Sequence, residues 1–208
     1  ISFVVDVVSV TKPVPVTVPE QADPSECPAT DGSEEQQQEF DEYPPFCIDV
    51  DADYSAEIAT NFGTMTVDLD PSEAPLTVNN FVVLARYKYF DGTECHRAIP
   101  SFVIQCGDPT ATGTGGPGYR FPDELPESGQ YQIGSVAMAN SGPDTNGSQF
   151  FIISGPNGAA LPPQYSLFGQ VSDGLTVVAE MDAVANPENN GVPPLDTIII
   201  ESVTITET

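Results

Sequence analysis

Arg97 is one of only five lysines and arginines in a 208-residue chain that carries 31 aspartates and glutamates. It lies in the run CHRAIPSFVIQCGD, Cys95–Asp108, and a second dense block, MANSGPDTNGSQFFI, occupies Met138–Ile152. Together the blocks interleave a guanidinium and the carboxamides of Gln105, Asn140 and Gln149 with the apolar Phe102, Val103, Ala139 and Phe151. Such groups bind, orient and polarise; none is a nucleophile. Other chemistries find little support. There is one histidine and no Cys-x-x-Cys, so no zinc site is expected. Asp49, Asp51 and Asp53 imitate the start of a calcium loop, but Tyr54 stands where its glycine belongs and Thr60 where its glutamate belongs. Weak, nonspecific cation binding is the most that triplet allows. Gly113–Gly118 spells G-x-G-x-x-G, yet Pro117 and the Tyr119–Pro122 run open no helix, which a dinucleotide site requires. Ser-His-Asp catalysis lacks a nucleophile elbow, and the sequon at Asn146 is discounted because it sits inside the second block.

The first block resembles the cyclophilin pattern F-H-R-x-I-x-x-F-x-x-Q-G-G-D, and the second resembles that family's M-A-N-x-G-P-x-T-N-G-S-Q-F-F-I stretch. The likeness spans about Tyr54–Glu207 and implies a peptidyl-prolyl cis/trans isomerase that needs no cofactor or metal. Resonance across a peptide C–N bond sets a barrier of roughly 18–20 kcal/mol, and an Xaa-Pro bond takes tens of seconds to isomerise unaided. At the transition state the bond is twisted and the proline nitrogen exposes a lone pair. Turnover in milliseconds asks for roughly 5–6 kcal/mol of preferential stabilisation of that state. The resemblance implies that Arg97 donates toward the prolyl nitrogen and the neighbouring carbonyl, and that Gln105 orients it and touches the substrate backbone. It makes Phe102, Val103, Phe151 and Leu161 walls of the proline slot, Ala139 and Asn140 backbone contacts for the substrate strand, and Gln149 a further substrate-facing amide. Tyr165 stands where the family usually has a pocket histidine, and Val103 where it usually has methionine. The family's tryptophan before the pocket leucine is missing, which bears on cyclosporin binding more than on catalysis. His96 should point away from the site and serve the structure.

Positioning these residues requires short strands. Ile1–Val18 reads as a strand or extended arm, and Pro19–Asp53, acidic and rich in proline, as loop. Alternation around Asn61-Phe62-Gly63 predicts a hairpin. Val78, Phe81, Val82, Ala85 and Tyr89 predict a helix over Pro75–Phe90. Strands are expected at Cys95–Ala98, Phe102–Cys106, Ser135–Ala139, Phe150–Ser154, Leu167–Val171 and Thr197–Ile205, with a second helix at Leu175–Ala183. The pattern is all-β, and the resemblance implies a closed eight-stranded antiparallel barrel capped by two helices. The expected division is an acidic N-terminal extension with a disulfide-tied loop, 1–53, and an isomerase domain, 54–208.

Four cysteines allow three pairings. Cys27 and Cys47 bracket a stretch unable to build its own core, and a hairpin about Ile99–Ser101 would bring Cys95 beside Cys106. Two bridges imply an extracytoplasmic location; the alternative is four reduced thiols. The chain starts at Ile1, which reads as a mature or trimmed form, secreted or anchored to the cell envelope through a removed segment. The net charge of −26 repels phosphate backbones and anionic membranes, and Ile1–Val10 is too short to span a bilayer. The expected partners are proline-containing polypeptides met by a monomer, with no nucleic acid and no membrane insertion. Taken as a whole, the pattern looks most like exported or lipoprotein-type cyclophilins of actinobacteria. A proline-peptide-binding chaperone without turnover and a surface assembly module are the rival readings.

Overall fold

A computed structural model of the chain describes residues 17–208. The arm expected over Ile1–Val18 therefore lies outside the described residues except for its last two positions. The predicted hairpin forms. Strand β1, Tyr54–Thr60, pairs antiparallel with β2, Gly63–Leu69, in a register that places Thr60 opposite Gly63. Alternate β1 residues Tyr54, Ala56, Ile58 and Thr60 are buried, as a strand with one core face requires. The remaining strands are β3 Thr93–Glu94, β4 Arg97–Ile99, β5 Val103–Cys106, β6 Ser135–Met138, β7 Phe150–Ile153, β8 Leu167–Asp173 and β9 Ile199–Glu207.

These strands form one curled antiparallel sheet of nine, in the order β3-β9-β1-β2-β8-β6-β7-β5-β4. The expected closed barrel of eight is corrected on both count and closure. Of the strand expected at Cys95–Ala98 only Arg97 and Ala98 lie in one, β4, while Cys95 and His96 link it to β3 at the opposite edge of the sheet. The Cys95 N–H donates to the Ile198 carbonyl at 2.9 Å, on the β9 side, whereas Arg97 pairs with Gln105 on the β5 side. The chain thus crosses the seam without reversing, and covalent continuity spans it where a ladder was expected.

Helix α1, Pro75–Arg86, ends four residues before the predicted limit. Lys88 takes a left-handed φ of 53°, so Tyr89 and Phe90 reach the core from a turn. The α1 N-terminus is capped from afar, since the Glu124 carboxylate accepts the N–H groups of Leu76 and Thr77 at 2.9 and 2.8 Å. A one-turn helix α2, Pro156–Ala159, was too short to show a period, and α3, Leu175–Ala183, follows Gly174 as expected. Inside the curl, Phe81, Phe90, Phe150 and Phe168 pack with Ile104, Val136, Met138 and Ile152. Phe46 and Ile48 join this core from the stretch read as loop. They are held there by Asn79 of α1, which accepts the Cys47 N–H at 2.6 Å and donates to the Pro45 carbonyl at 3.0 Å. Cys27 is bonded to Cys47 and Cys95 to Cys106.

Candidate active site

Residues that alternate with the core positions on β5, β6 and β7 face the other way. Val103, Ala137, Phe151 and Ile153 form a second, smaller apolar cluster with the buried Tyr131, and Phe102, Ala139, Leu161 and Tyr165 pack against it half-buried. Strand register then aligns the polar groups with this surface. Arg97 lies opposite Gln105, Gln105 opposite Phe151, and Phe151 opposite Ala137, one row across four strands. Directly paired residues project from the same face of a sheet. A guanidinium, an amide and an aromatic ring therefore stand side by side.

The guanidinium is held at three points. Its Nη1 donates to Gln105 Oε1 at 3.0 Å, its Nε to the Asn190 carbonyl at 2.9 Å, and its Nη2 to Asn190 Oδ1 at 3.0 Å. Burial lowers its pKa from the ordinary arginine value, opposed by the nearby Tyr165 phenol. Gln105 Nε2 in turn donates to Gln149 Oε1 at 2.8 Å, and Gln149 Nε2 to the Gly115 carbonyl at 2.9 Å. On the apolar side, Tyr165 meets Phe151 edge-on with ring centroids 5.3 Å apart. The Tyr131 hydroxyl donates to the Tyr165 carbonyl at 2.6 Å and accepts its N–H at 3.1 Å. Asn140 Nδ2 donates to the Gln164 carbonyl at 2.9 Å, tying the loop that carries Leu161 and Tyr165 to the end of β6.

All ten predicted site residues thus fall on one face. Beside the apolar cluster opens a cavity of about 340 Å³ whose lining includes Gln105, Ala139, Asn140 and Gln149 and excludes Arg97 and Phe151. His96, the neighbour of Arg97 on the chain, is buried beneath the Gly113 loop, and burial lowers its pKa despite the opposing charge of Asp108. Two participants escaped the sequence reading. Asn190 grips Arg97 from 93 residues away, and Tyr131 braces Tyr165. The Asn189–Gly191 run announces a turn, but nothing in it announces which strand it meets.

Residues 55–205 match the family model described as cyclophilin type peptidyl-prolyl cis-trans isomerase. The chain belongs to the cyclophilin family. A probable peptidyl-prolyl cis-trans isomerase B of Mycobacterium leprae is 41% identical over 170 residues, covering 73% of this chain and 57% of that protein. The chain thus spans little more than half of that relative's length. A peptidyl-prolyl cis-trans isomerase B of Streptomyces anulatus is 44% identical over 172 residues, covering 72% of this chain and 95% of that one. A cyclophilin type peptidyl-prolyl cis-trans isomerase of Cryptosporidium parvum, crystallised in the presence of the dipeptide Ala-Pro, superposes with a TM-score of 0.67. It shares 35% identity, covering 74% of this chain and 99% of that one.

In this cyclophilin the G-x-G-x-x-G run winds around a buried carboxylate instead of a phosphate. Asp108 accepts the N–H groups of Thr110, Thr112, Gly113 and Gly115 at 2.6–3.1 Å, along with the Thr110 hydroxyl. Burial pushes its pKa up, and these hydrogen bonds outweigh that and hold it below the usual aspartate value. The sign follows from linkage: a depressed carboxylate stabilises the fold above its unfolded pKa and loses that contribution as pH falls through its folded value. Asp108→Asn, which turns two donor-facing oxygens into one, should cost about 1–3 kcal/mol at neutral pH. Urea titrations across pH should show the gap between the two proteins closing in acid. A gap that widens in acid would contradict this.

Proposed function

We propose that this chain is a peptidyl-prolyl cis/trans isomerase that acts on proline-containing segments of exported proteins. The observation that carries the reading is the cross-strand row that sets Arg97 and Gln105 beside Phe151 at the rim of an apolar cluster. The proline ring rests on Phe102, Val103, Phe151 and Leu161, with Tyr165 closing one side. The substrate backbone runs along Ala139 and Asn140. The Ala139 N–H already donates to the Gln149 carbonyl at 2.9 Å, so the groups offered to the substrate are the Ala139 carbonyl and the Asn140 N–H. Arg97 donates toward the prolyl nitrogen once conjugation is lost, when that nitrogen becomes an acceptor. In the planar ground state it is a poor one, so the bond strengthens as the peptide twists. Gln105 and Asn190 hold the donor in place beforehand, so little reorganisation is needed during the reaction. Nothing is transferred: no proton leaves Arg97, and no covalent bond to the substrate forms or breaks.

Two disulfides suit an oxidising compartment, and among the described residues no helix is long and apolar enough to cross a membrane. These features support the exported placement, with residues 1–53 as an acidic extension of an isomerase domain over 54–208, working as a monomer. The deciding experiment is a cis/trans assay on an Ala-Pro peptide. Catalytic amounts of the chain should shorten the relaxation from tens of seconds to well below a second. Saturable binding of the peptide with an unchanged relaxation time would leave a proline-binding module without turnover.

A further inference from the structure

The loop that walls the site cavity is held from both sides. On its inner side, the Gly115 carbonyl accepts from Gln149, which is joined through Gln105 to Arg97. On its outer side the Phe40 N–H donates to the Pro117 carbonyl at 2.8 Å. Gly118, at a left-handed φ of 107°, lies so close that a Cβ there would strike the Phe40 carbonyl. Gly116 lines both the site cavity and a hollow of about 660 Å³ under the extension.

The segment before Phe40 is tied down residue by residue. Gln36 Nε2 donates to the carbonyls of Lys88 and Asp91 at 3.0 and 2.9 Å, and Gln38 Nε2 to that of Tyr89 at 2.9 Å. The Gln37 N–H donates to the Tyr87 carbonyl at 3.0 Å. The Phe40 ring meets Tyr87 edge-on at 5.5 Å and Tyr119, a residue of the cavity wall, at 6.4 Å. Cys27–Cys47 closes the chain on either side of this run. None of these contacts belongs to the isomerase motifs; they come from the extension.

We propose that Gln36–Phe40 is a positioning strap for the substrate cleft. It fixes the Gly115–Tyr119 wall, and with it the Gln149 amide that donates to Gly115, for peptides long enough to lie against that wall. A wall already rigid loses less freedom when a peptide settles on it. Asn190 holds Arg97 independently of the wall, so a short peptide that does not reach the wall meets an unchanged guanidinium. The inference rests on the isomerase reading.

Phe40→Ala and Gln38→Ala test it, assayed on a short Ala-Pro peptide and on an octapeptide with the same proline at its centre. For the octapeptide we expect KM to rise about fivefold with kcat within about twofold, and for the short peptide no change in either. Amide exchange at Gly115 and at position 40, whose N–H groups are hydrogen-bonded in the native wall, should quicken about tenfold in both variants while thermal unfolding stays cooperative. Unchanged KM for the octapeptide, or equal losses on both peptides, would overturn the strap. If the native chain turns over neither peptide, the isomerase reading fails by itself. Octapeptide affinity and amide exchange then decide the strap: weaker binding with faster wall exchange supports it, and native values for both end it.

Discussion

Replacing Arg97 with alanine should lower kcat/KM for a proline peptide by about 100- to 1,000-fold, or roughly 3–4 kcal/mol of transition-state stabilisation. That is about half or more of what the acceleration requires, because the side chain supplies the one cation of the row. The fold should survive, since Arg97 is half-buried and Gln105 keeps its bond to Gln149. Arg97→Lys should recover little. An ammonium is a point donor and lacks the planar fork that reaches Gln105 and both Asn190 acceptors while still facing the substrate. Progress curves with native, Ala and Lys proteins, matched by near-ultraviolet dichroism, check both halves. A loss below about tenfold would mean that orientation and desolvation by the apolar cluster carry the catalysis.

The second large effect concerns stability. Cys27 and Cys47 close a loop of sequence separation 20, and removing such a link costs about 3 kcal/mol through the entropy restored to the unfolded chain. For a domain of this size that is a fall of about 6–12 °C in melting temperature. The double variant Cys27→Ala, Cys47→Ala should show it by calorimetry. Phe46 and Ile48 would still pack, so a single cooperative transition is expected. Melting within a degree or two of the native protein would mean that the core contacts of the extension suffice without the link. The Cys95–Cys106 bridge, of separation 11, closes a shorter loop and should contribute less by the same reasoning.

Much of the site was legible because its geometry is local. Arg97 and Gln105 sit on two arms of one tight hairpin, so their opposition follows once the turn after Ile99 is recognised. Val103 and Phe151 were legible only through the family pattern, because Val103–Cys106 and Phe150–Ile153 bury side chains on both faces and show no alternation that would set them apart from Ile104 and Ile152. Long-range partners were not legible. The grip of Asn190 on Arg97 and of Tyr131 on Tyr165 is fixed by how distant turns pack, and no period in the chain encodes it. Composition misled at Phe46 and Ile48, where acids and prolines outnumber two apolar side chains that Asn79 nonetheless anchors in the core. The early end of α1 was hidden for a related reason. Tyr89 and Phe90 are as buried as helical residues would be, and only the left-handed Lys88 separates turn from helix. Closure of the sheet failed as an expectation because Cys95 and Arg97 read as one strand, while Cys95 bonds on the β9 side and Arg97 pairs on the β5 side.

If Arg97 grips a twisted prolyl imide and largely ignores a flat one, its loss must slow the bound peptide and spare its affinity. Exchange spectroscopy on a labelled Ala-Pro peptide, with native protein and with Arg97→Ala, measures ground-state affinity and on-enzyme isomerisation in one experiment. The dissociation constant should change by no more than about threefold, and the interconversion rate should fall by about 100-fold or more. A dissociation constant that rises in proportion to the lost kcat/KM, with bound peptide still interconverting at the native rate, would contradict that selectivity.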